Sequence, residues 1–203
     1  IVPSVTTIIQ ELGWNKNALV AWARREALAG NDPNKVRDQA ADVGSLVHAL
    51  IEAHFKGTEV DLSEYSEQNI NKAKTCFSNF LKWKENHIQE VWYSELQLVS
   101  ETYRYGGTID FVGLIDGVPS LLDFKSSSGV WPEYKIQVAA YQNLYFEYSG
   151  CGRTKLQGHL LQLDKNGDGF HHVVLGYQDK ELRPAWEVFL HCLEIYRLKK
   201  MVC

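Results

Sequence analysis

The stretch from residue 106 to residue 137 constrains the fold most, because its first half has the pattern of a β-hairpin. Asp116 and Gly117 separate two apolar runs, and Asp-Gly between such runs is a strong signal for a two-residue hairpin turn. With these residues as the turn, Asp110 falls directly opposite Asp123 across the two strands. The pattern therefore predicts two carboxylates on one face of a hairpin, with Cβ atoms roughly 5 Å apart.

Lys125 lies two residues after Asp123, so the same alternation places it on the face that carries the two carboxylates. Like charges directly opposite each other destabilise a hairpin, so a facing aspartate pair beside a lysine indicates a divalent-cation site. The other face carries four apolar residues that are predicted to enter one core: Ile109, Phe111, Leu122 and Phe124.

The spacing of Asp110 and the triplet Asp123-Phe124-Lys125 resembles the active-site signature of the PD-(D/E)xK nuclease superfamily. The neighbouring sequence is similar to the RecB-type branch, which includes many phage exonucleases and the mitochondrial genome maintenance exonuclease. The resemblance covers nearly the whole chain. It depends on a glycine before the first aspartate, a Gly-x-x-x-His element upstream and a Gln-x-x-x-Tyr element downstream: Gly107, Gly44 to His48, and Gln137 to Tyr141.

The resemblance implies an α/β fold with a restriction-endonuclease-like core, in which helices flank a mixed central sheet. The order of predicted elements, helices first and then strands and helices in turn, agrees with that architecture. The resemblance also implies a Mg²⁺ or Mn²⁺ site, whose ligands would be the following: His48, Asp110, Asp123 and the backbone carbonyl of Phe124. Glu95 lies on a predicted strand from residue 91 to residue 100, and it is either a further ligand or an exposed strand residue.

In the same comparison Lys125 would position or deprotonate the attacking water and stabilise charge on the phosphate. Gln137 and Tyr141 lie on one face of a helix predicted from Pro132 to Tyr148. That face would border the active site, where the Gln137 amide orients Lys125 or a phosphate. The alternative is an ordinary aromatic packing stripe, which Gln137 interrupts.

His48 lies at the edge of the apolar face of an amphipathic helix over residues 43–55, one turn after Gly44. The glycine removes bulk at a point where a strand or an ion could approach. A lone histidine at such an edge is otherwise a packed or surface residue. His54, on the apolar face, is predicted to lie in the core.

DNA contacts are predicted on two segments. A helix over residues 17–29 carries Trp22, Arg24 and Arg25, which could stack on bases and pair with phosphates. The alternative for Trp22 is a place in the core. Ser126 and Ser127, directly after the lysine of the signature, are assigned to DNA binding by the resemblance.

The remaining elements are predicted from caps and periodicity. Ser63 caps a long helix that runs to about His87, and a last helix over residues 179–200 packs against the sheet. Strands over residues 154–163 and 169–176 form a second hairpin. Its turn, Asp164 to Gly169 with Asp168 inside it, begins like a calcium-binding EF-hand loop. The twelfth loop position is Leu175 rather than glutamate, so the sequence predicts a polar turn without calcium.

The overall composition limits the number of domains and the classes of partner that the chain can have. The 203 residues are 45% hydrophobic and 23% charged, which fits one globular domain. The resemblance implies a single nuclease domain over residues 1–203, helical over 1–90 and catalytic over 91–203. No apolar run approaches the length of a membrane span, so no membrane partner is expected. The net charge of −4 gives no support to nucleic-acid binding, which would then need a local basic groove.

The four cysteines are widely spaced and include no CxxC pair, so a structural zinc site is not expected. Some RecB-type relatives hold an iron–sulfur cluster through a tight C-terminal cysteine trio, which this chain lacks, so no cluster is expected. Reduced thiols indicate the cytoplasm of a bacterium or a phage-infected cell, with a mitochondrion as the alternative. The cysteines are Cys76, Cys151, Cys192 and Cys203.

The function that these features predict is a Mg²⁺- or Mn²⁺-dependent DNA exonuclease that acts on single-stranded ends. A mildly acidic chain rich in tryptophan would hold a strand by stacking more than by long-range charge. Three alternatives stay open at this point: an exonuclease that processes duplex ends, a non-cleaving DNA-binding domain of the same fold, and a nuclease directed at RNA. The oligomeric state is not readable from the sequence.

Overall fold

Five strands form one sheet in the computed structural model, which describes residues 1–150, 156–167, 169–178 and 180–202. The strands are β1 Ile88–Ser100, β2 Tyr105–Ile115, β3 Val118–Lys125, β4 Gln157–Leu163 and β5 Phe170–Gly176. The helices are α1 Val5–Ile9, α2 Lys16–Leu28, α3 Pro33–Lys56, α4 Glu67–His87, α5 Pro132–Ser149 and α6 Arg183–Val202. Three residues named above lie outside the described part: Cys151, Asp168 and Cys203. So do the first residues of the strand predicted from position 154 and of the helix predicted from position 179.

The sheet has the order β1-β2-β3-β4-β5, and all neighbours are antiparallel except β3 and β4, which are parallel. A parallel pair needs a crossover, and α5 lies in the connection between those two strands. One hydrophobic core lies between the sheet and α3 with α4, and the other lies beneath α1, α5 and α6. The predicted α/β architecture with a mixed central sheet is confirmed.

The first hairpin has the predicted turn and register. Asp116 and Gly117 have φ values of 51° and 75°, the left-handed conformation that a type I′ turn requires at both central positions. The paired residues run without a shift from Ile115 with Val118 to Phe111 with Leu122. The ladder ends there, one position before Asp110 and Asp123.

The prediction of one shared apolar face on this hairpin is wrong for Ile109. Phe111, Leu122 and Phe124 belong to the core under α3 and α4, whereas Ile109 belongs to the opposite core. Ile109 and Phe111 are two residues apart, so the alternation of β2 breaks at Asp110. The Asp110 carboxylate there accepts a hydrogen bond from the Phe124 amide over 2.7 Å, in place of a backbone carbonyl.

The start of α4 also differs from the prediction. Ser66, not Ser63, is the N-cap, because its hydroxyl accepts a hydrogen bond from the backbone N–H of Asn69. Ser63 lies in the preceding turn, where its own N–H is bound by the Asp61 carboxylate. Both serines have the chemistry of a cap, and the position of the following helix decides between them.

Two further packing predictions need correction. His54 is exposed rather than buried, and its ring lies at the edge of the core, 5.8 Å from the ring of Phe77. The last helix, α6, packs on α5 and α1, and it reaches the sheet where Phe189 meets Tyr105 of β2 with ring centroids 4.7 Å apart. None of the helices in the described part of the chain is both long enough and apolar enough to cross a bilayer.

A buried histidine, His159, packs against the half-buried His172 near the start of β3. His159 Nδ1 lies 2.9 Å from His172 Nε2 with the two rings stacked, and His159 Nε2 lies 3.0 Å from the Ser120 hydroxyl. The rings of Trp83 and His87 close the group on the side of α4. Burial lowers the pKa of His159 to about 3, with a further contribution from His172, so the ring is neutral in the folded protein.

This cluster predicts a loss of stability in acid. In the unfolded chain His159 binds a proton below about pH 6.5, whereas the folded protein resists protonation until about pH 3. The unfolded state therefore binds more protons as the pH falls, and at pH 5 this one residue should cost about 2 kcal/mol of unfolding free energy. Urea denaturation at pH 7 and pH 5 measures the difference.

The variant His159→Gln should lose less stability between pH 7 and pH 5 than the wild type does, because glutamine does not titrate. His171→Gln, which removes an exposed histidine from the neighbouring strand β5, is the matched control and should keep the wild-type dependence. The same pH dependence in wild type and His159→Gln would contradict the prediction.

Candidate active site

Three side chains of types that can bind a metal converge from three elements on one point beside the hairpin. His48 Nδ1 of α3 lies 3.3 Å from Glu95 Oε1 of β1 and 3.5 Å from Asp110 Oδ1 of β2. One ligand atom from each of the three residues lies within 4.8 Å of the other two. A histidine nitrogen with two carboxylate oxygens is a donor set that divalent cations of the first transition row accept, and Mg²⁺ takes the oxygens. The cluster is therefore compatible with a bound divalent cation.

Glu95 reaches this point through an unusual backbone conformation. Its φ is 53°, in the left-handed region that a residue other than glycine rarely adopts. In the β1–β2 register it falls between the pairs Ser94–Phe111 and Leu96–Ile109, so it lies opposite Asp110. Such conformations cost free energy and are concentrated at functional sites, which favours the ligand interpretation of Glu95 over that of a plain strand residue.

Asp123, on the other strand of the hairpin, lies beside this group but is not one of its three converging residues. It is buried, its Oδ2 lies 2.7 Å from Lys125 Nζ, and its Oδ1 has no hydrogen-bond partner among the described residues. A buried carboxylate oxygen without a partner is costly, and a cation would compensate it. Burial raises the pKa of Asp123 to about 6, against the opposing effect of Lys125, and burial also raises the pKa of Asp110.

His48 balances this negative charge. Burial alone would lower its pKa, but the neighbouring carboxylates Asp110 and Glu95 raise it to about 9, with a smaller contribution from Asp123. The ring is therefore a cation at neutral pH when no metal is bound. A divalent cation would take over that charge and release the proton.

Lys125 is held by a chain of hydrogen bonds from α5. Its Nζ donates to Gln137 Oε1 over 3.1 Å, and Gln137 Nε2 donates to the Tyr141 hydroxyl over 2.9 Å. Both α5 residues are buried. The amide of Gln137 thus orients Lys125 in the way that the sequence suggested, and Tyr141 orients the amide.

Tyr134 is a contact that the sequence analysis did not assign. Lys125 Nζ lies 4.8 Å from the centroid of the Tyr134 ring, which is a cation–π distance. The signal was present, because Tyr134 lies one helical turn before Gln137 on the same face of α5.

Two glycines allow the close packing around these residues to different degrees. A Cβ added at Gly107 would lie 2.7 Å from Tyr141 Cε1, so only glycine leaves room for the tyrosine ring there. A Cβ at Gly44 would lie 3.5 Å from the Ser126 hydroxyl, which is ordinary van der Waals contact. Gly44 therefore lets the end of β3 approach α3, with space left for a methyl group.

The other residues predicted at the site lie at its margins. Trp22 is half-buried and Arg24 and Arg25 are exposed on α2, which packs against α3, the helix of His48. Ser126 and Ser127 lie in the turn after β3, where the Ser127 hydroxyl donates to a backbone carbonyl of the same turn. The Phe124 amide is bound by Asp110, and metal ligation by the Phe124 carbonyl stays a prediction.

No model of a known protein family matches this chain, and no curated protein sequence matches it either. Among solved structures it is similar to a candidate exonuclease from Eubacterium rectale, with a TM-score of 0.52 and 17% identity over 75% of this chain. The two proteins share a fold. The aligned part spans 64% of that protein, which is less than two thirds of its length.

A weaker likeness links the chain to LHK-Exo, whose structure was solved in complex with dAMP. The TM-score is 0.33 at 14% identity, covering 81% of this chain and 90% of that one.

The cluster predicts that His48 contributes to cation binding and releases a proton when the cation binds. His48→Ala should weaken Mn²⁺ binding by tenfold or more, since even changes beside metal ligands cost that much. At pH 7.5 the wild type should release up to one proton per Mn²⁺, because the pKa of His48 is about 9 in the metal-free protein. Titration calorimetry in buffers of different ionisation enthalpy measures both quantities.

His54→Ala is the matched control, because His54 is an exposed histidine on the same helix. It should bind Mn²⁺ with wild-type affinity and proton release. If His48→Ala binds Mn²⁺ with unchanged affinity, His48 is a packed histidine and not a metal ligand.

Proposed function

We propose that this protein is a divalent-cation-dependent deoxyribonuclease of the RecB-type branch of the PD-(D/E)xK superfamily, and that it hydrolyses DNA from its ends. The observation that carries the proposal is the convergence of His48, Glu95 and Asp110 beside the Asp123–Lys125 pair. The shared fold with a candidate exonuclease supports it.

In the proposed site the cation would be held by these groups: His48, Glu95, Asp110, Asp123 and the Phe124 carbonyl. A Mg²⁺ or Mn²⁺ ion there would supply Lewis-acid activation of the phosphate and of the attacking water. Such an ion would give the buried Asp123 Oδ1 a partner, which it lacks among the described residues.

Lys125 acts in this proposal as a cation and hydrogen-bond donor. Burial alone would lower its pKa, but the carboxylates of Asp123 and Asp110 raise it, so Nζ keeps its proton at neutral pH. This state supports the role of orienting water and stabilising phosphate charge over that of a base. Gln137 and Tyr141 keep Nζ in place, which reduces the reorganisation needed when charge develops on the phosphate.

The cleavage test replaces one carboxylate. Asp110→Asn should lower Mg²⁺-dependent digestion of end-labelled DNA by roughly a hundredfold or more, and EDTA should stop the wild type. The asparagine keeps an oxygen that can accept the Phe124 amide, so the hairpin should fold. DNA binding should persist or tighten, because one negative charge facing the phosphate is lost.

Asp116→Asn makes the same chemical change in the turn of the same hairpin, and it should digest DNA at the wild-type rate. Digestion at the wild-type rate by Asp110→Asn would overturn the assignment. A closed circular DNA left intact beside a digested linear one would show that the enzyme needs an end.

Single-stranded ends are the proposed substrate, with Trp22 and Arg24 or Arg25 of α2 as strand contacts. In a competition of equal lengths, a single-stranded oligonucleotide should have a higher initial rate than a blunt duplex. Stacking contributes about 1–3 kcal/mol per base, so Trp22→Ala should raise KM for the single strand about tenfold. Trp14→Ala, which removes an exposed tryptophan just before α2, should not. Faster digestion of the blunt duplex would identify a duplex-end enzyme instead.

A further inference from the structure

A pocket of about 440 Å³ lies next to Lys125, on the side of the sheet where β4 is. Its wall includes Gln162, which is paired with Lys125 in the parallel β3–β4 ladder, and Ser127, two residues after that lysine. Ladder partners on neighbouring strands are about 5 Å apart and project to the same face, which puts Gln162 on the face of Lys125. Phe170 pairs with Leu163 in the β4–β5 ladder and projects to the other face, so the pocket wall includes residues from both faces of the sheet. The pocket therefore begins one strand away from the candidate active site, at the carboxyl ends of two parallel strands, where α/β sheets bind ligands.

The walls of this pocket are fixed from both sides. On one side Gln162 Nε2 donates to the Ser127 carbonyl over 2.9 Å. On the other side Asn79, fully buried on α4, donates to the carbonyls of Asp164 and Gly167, each over 2.9 Å. Asn79 Oδ1 also accepts the Gly169 amide over 3.2 Å. A buried amide that makes three bonds to a surface hairpin holds it in one shape, which is what a preformed binding site needs.

The lining combines an aromatic face with polar groups. Phe170 contributes to the wall and is 44% exposed, although it belongs to a strand that could have buried it. Lys165 brings a positive charge to the same hairpin, and Asn166 and Ser128 bring hydrogen-bonding groups. The Asp164 carboxylate in this wall accepts a hydrogen bond from the backbone N–H of Asn166 over 2.8 Å.

A flat ring, a cation and several hydrogen-bonding groups in a volume of this size suit a nucleotide. An exposed aromatic ring is the surface on which single-stranded nucleic acids stack a base, whatever its identity. A lysine beside it can pair with a phosphate, and the volume lies in the range of small-molecule sites.

We propose that this pocket is a nucleotide subsite, in which Phe170 stacks on a base of the same strand whose phosphate is cleaved at Lys125. The inference rests on the proposed nuclease function, and it adds the place where the unpaired strand is held. A base bound there must be unstacked from its neighbours, so the subsite selects single-stranded over duplex ends.

The test measures binding without cleavage, so it does not depend on the activity. Fluorescence anisotropy in EDTA at low salt gives the Kd for a fluorescein-labelled single-stranded oligonucleotide. Phe170→Ala should raise Kd about tenfold, and Phe170→Trp should keep it within about twofold. Val174→Ala is the matched control: Val174 lies on the same face of β5, is 54% exposed, lies outside the pocket wall, and should bind as the wild type does.

A second arm removes the bases instead of the ring. An oligonucleotide with abasic residues at its end should bind the wild type about tenfold more weakly, and it should bind Phe170→Ala with no further loss. An equal abasic penalty in both proteins, or an unchanged Kd in Phe170→Ala, would overturn the subsite.

The outcomes separate the two proposals. If the wild type digests DNA and Phe170→Ala binds normally, the subsite is wrong and the nuclease assignment survives. If Phe170→Ala weakens binding with the expected abasic pattern but no cleavage occurs with Mg²⁺ or Mn²⁺, the subsite survives and the nuclease assignment fails. Wild-type protein that binds no oligonucleotide under these conditions would overturn the subsite.

Discussion

The hydrogen bond between the Asp110 carboxylate and the Phe124 amide is the interaction on which the rest of the site depends. It ties the two strands of the first hairpin together at the level where their backbones stop pairing. Because a side chain makes this bond, the alternation of β2 changes there, and Asp110 can turn its second oxygen towards α3. The carboxylate is thus both a part of the sheet and a part of the site, and its burial creates a charge that the protein must compensate.

The compensation is divided between the two sides of the sheet. On the side of α3, His48 pairs with Asp110 and Glu95, and on the side of α5, Lys125 pairs with Asp123 and is steadied by Gln137. Isolated buried charges are costly, whereas paired and hydrogen-bonded ones are tolerated. A bound cation would take over the charge of the protonated histidine, whereas the Lys125 cation would stay in place. The two halves therefore suit two tasks, metal binding and contact with the phosphate.

What the sequence could predict was mostly local. The register of the first hairpin follows from Asp116 and Gly117, because turn chemistry fixes pairing without reference to the rest of the chain. The contact between Gln137 and Lys125 was predictable from a family resemblance. The break in strand alternation at Asp110 was not predictable. It accompanies a hydrogen bond from the Phe124 amide to a side-chain oxygen, and the pattern of apolar residues does not show such a bond.

The left-handed backbone of Glu95 was equally invisible, because nothing in its neighbours requires it. The shape of the second hairpin depends on Asn79, which is 85 residues before Asp164 in the chain, and propensity reasoning cannot connect residues at that distance. The nucleotide pocket escaped the sequence analysis for the same reason. The sequence predicts only a polar turn in this hairpin. The hydrogen bonds from the buried Asn79 amide are what distinguish a preformed pocket from such a turn.

One feature of α2 sets it apart from the other long helices: it buries none of its own side chains, and Leu19, Val20 and Leu28 are exposed on it. Apolar burial is the main source of the free energy that keeps an element closed, so α2 opens more cheaply than the sheet and its amides lose protection against solvent exchange first. A ligand that ordered such a helix would lose part of its binding free energy to conformational entropy. The affinity for a ligand that binds to α2 could then be changed by substitutions that alter only the helix propensity of α2, at positions that do not contact the ligand.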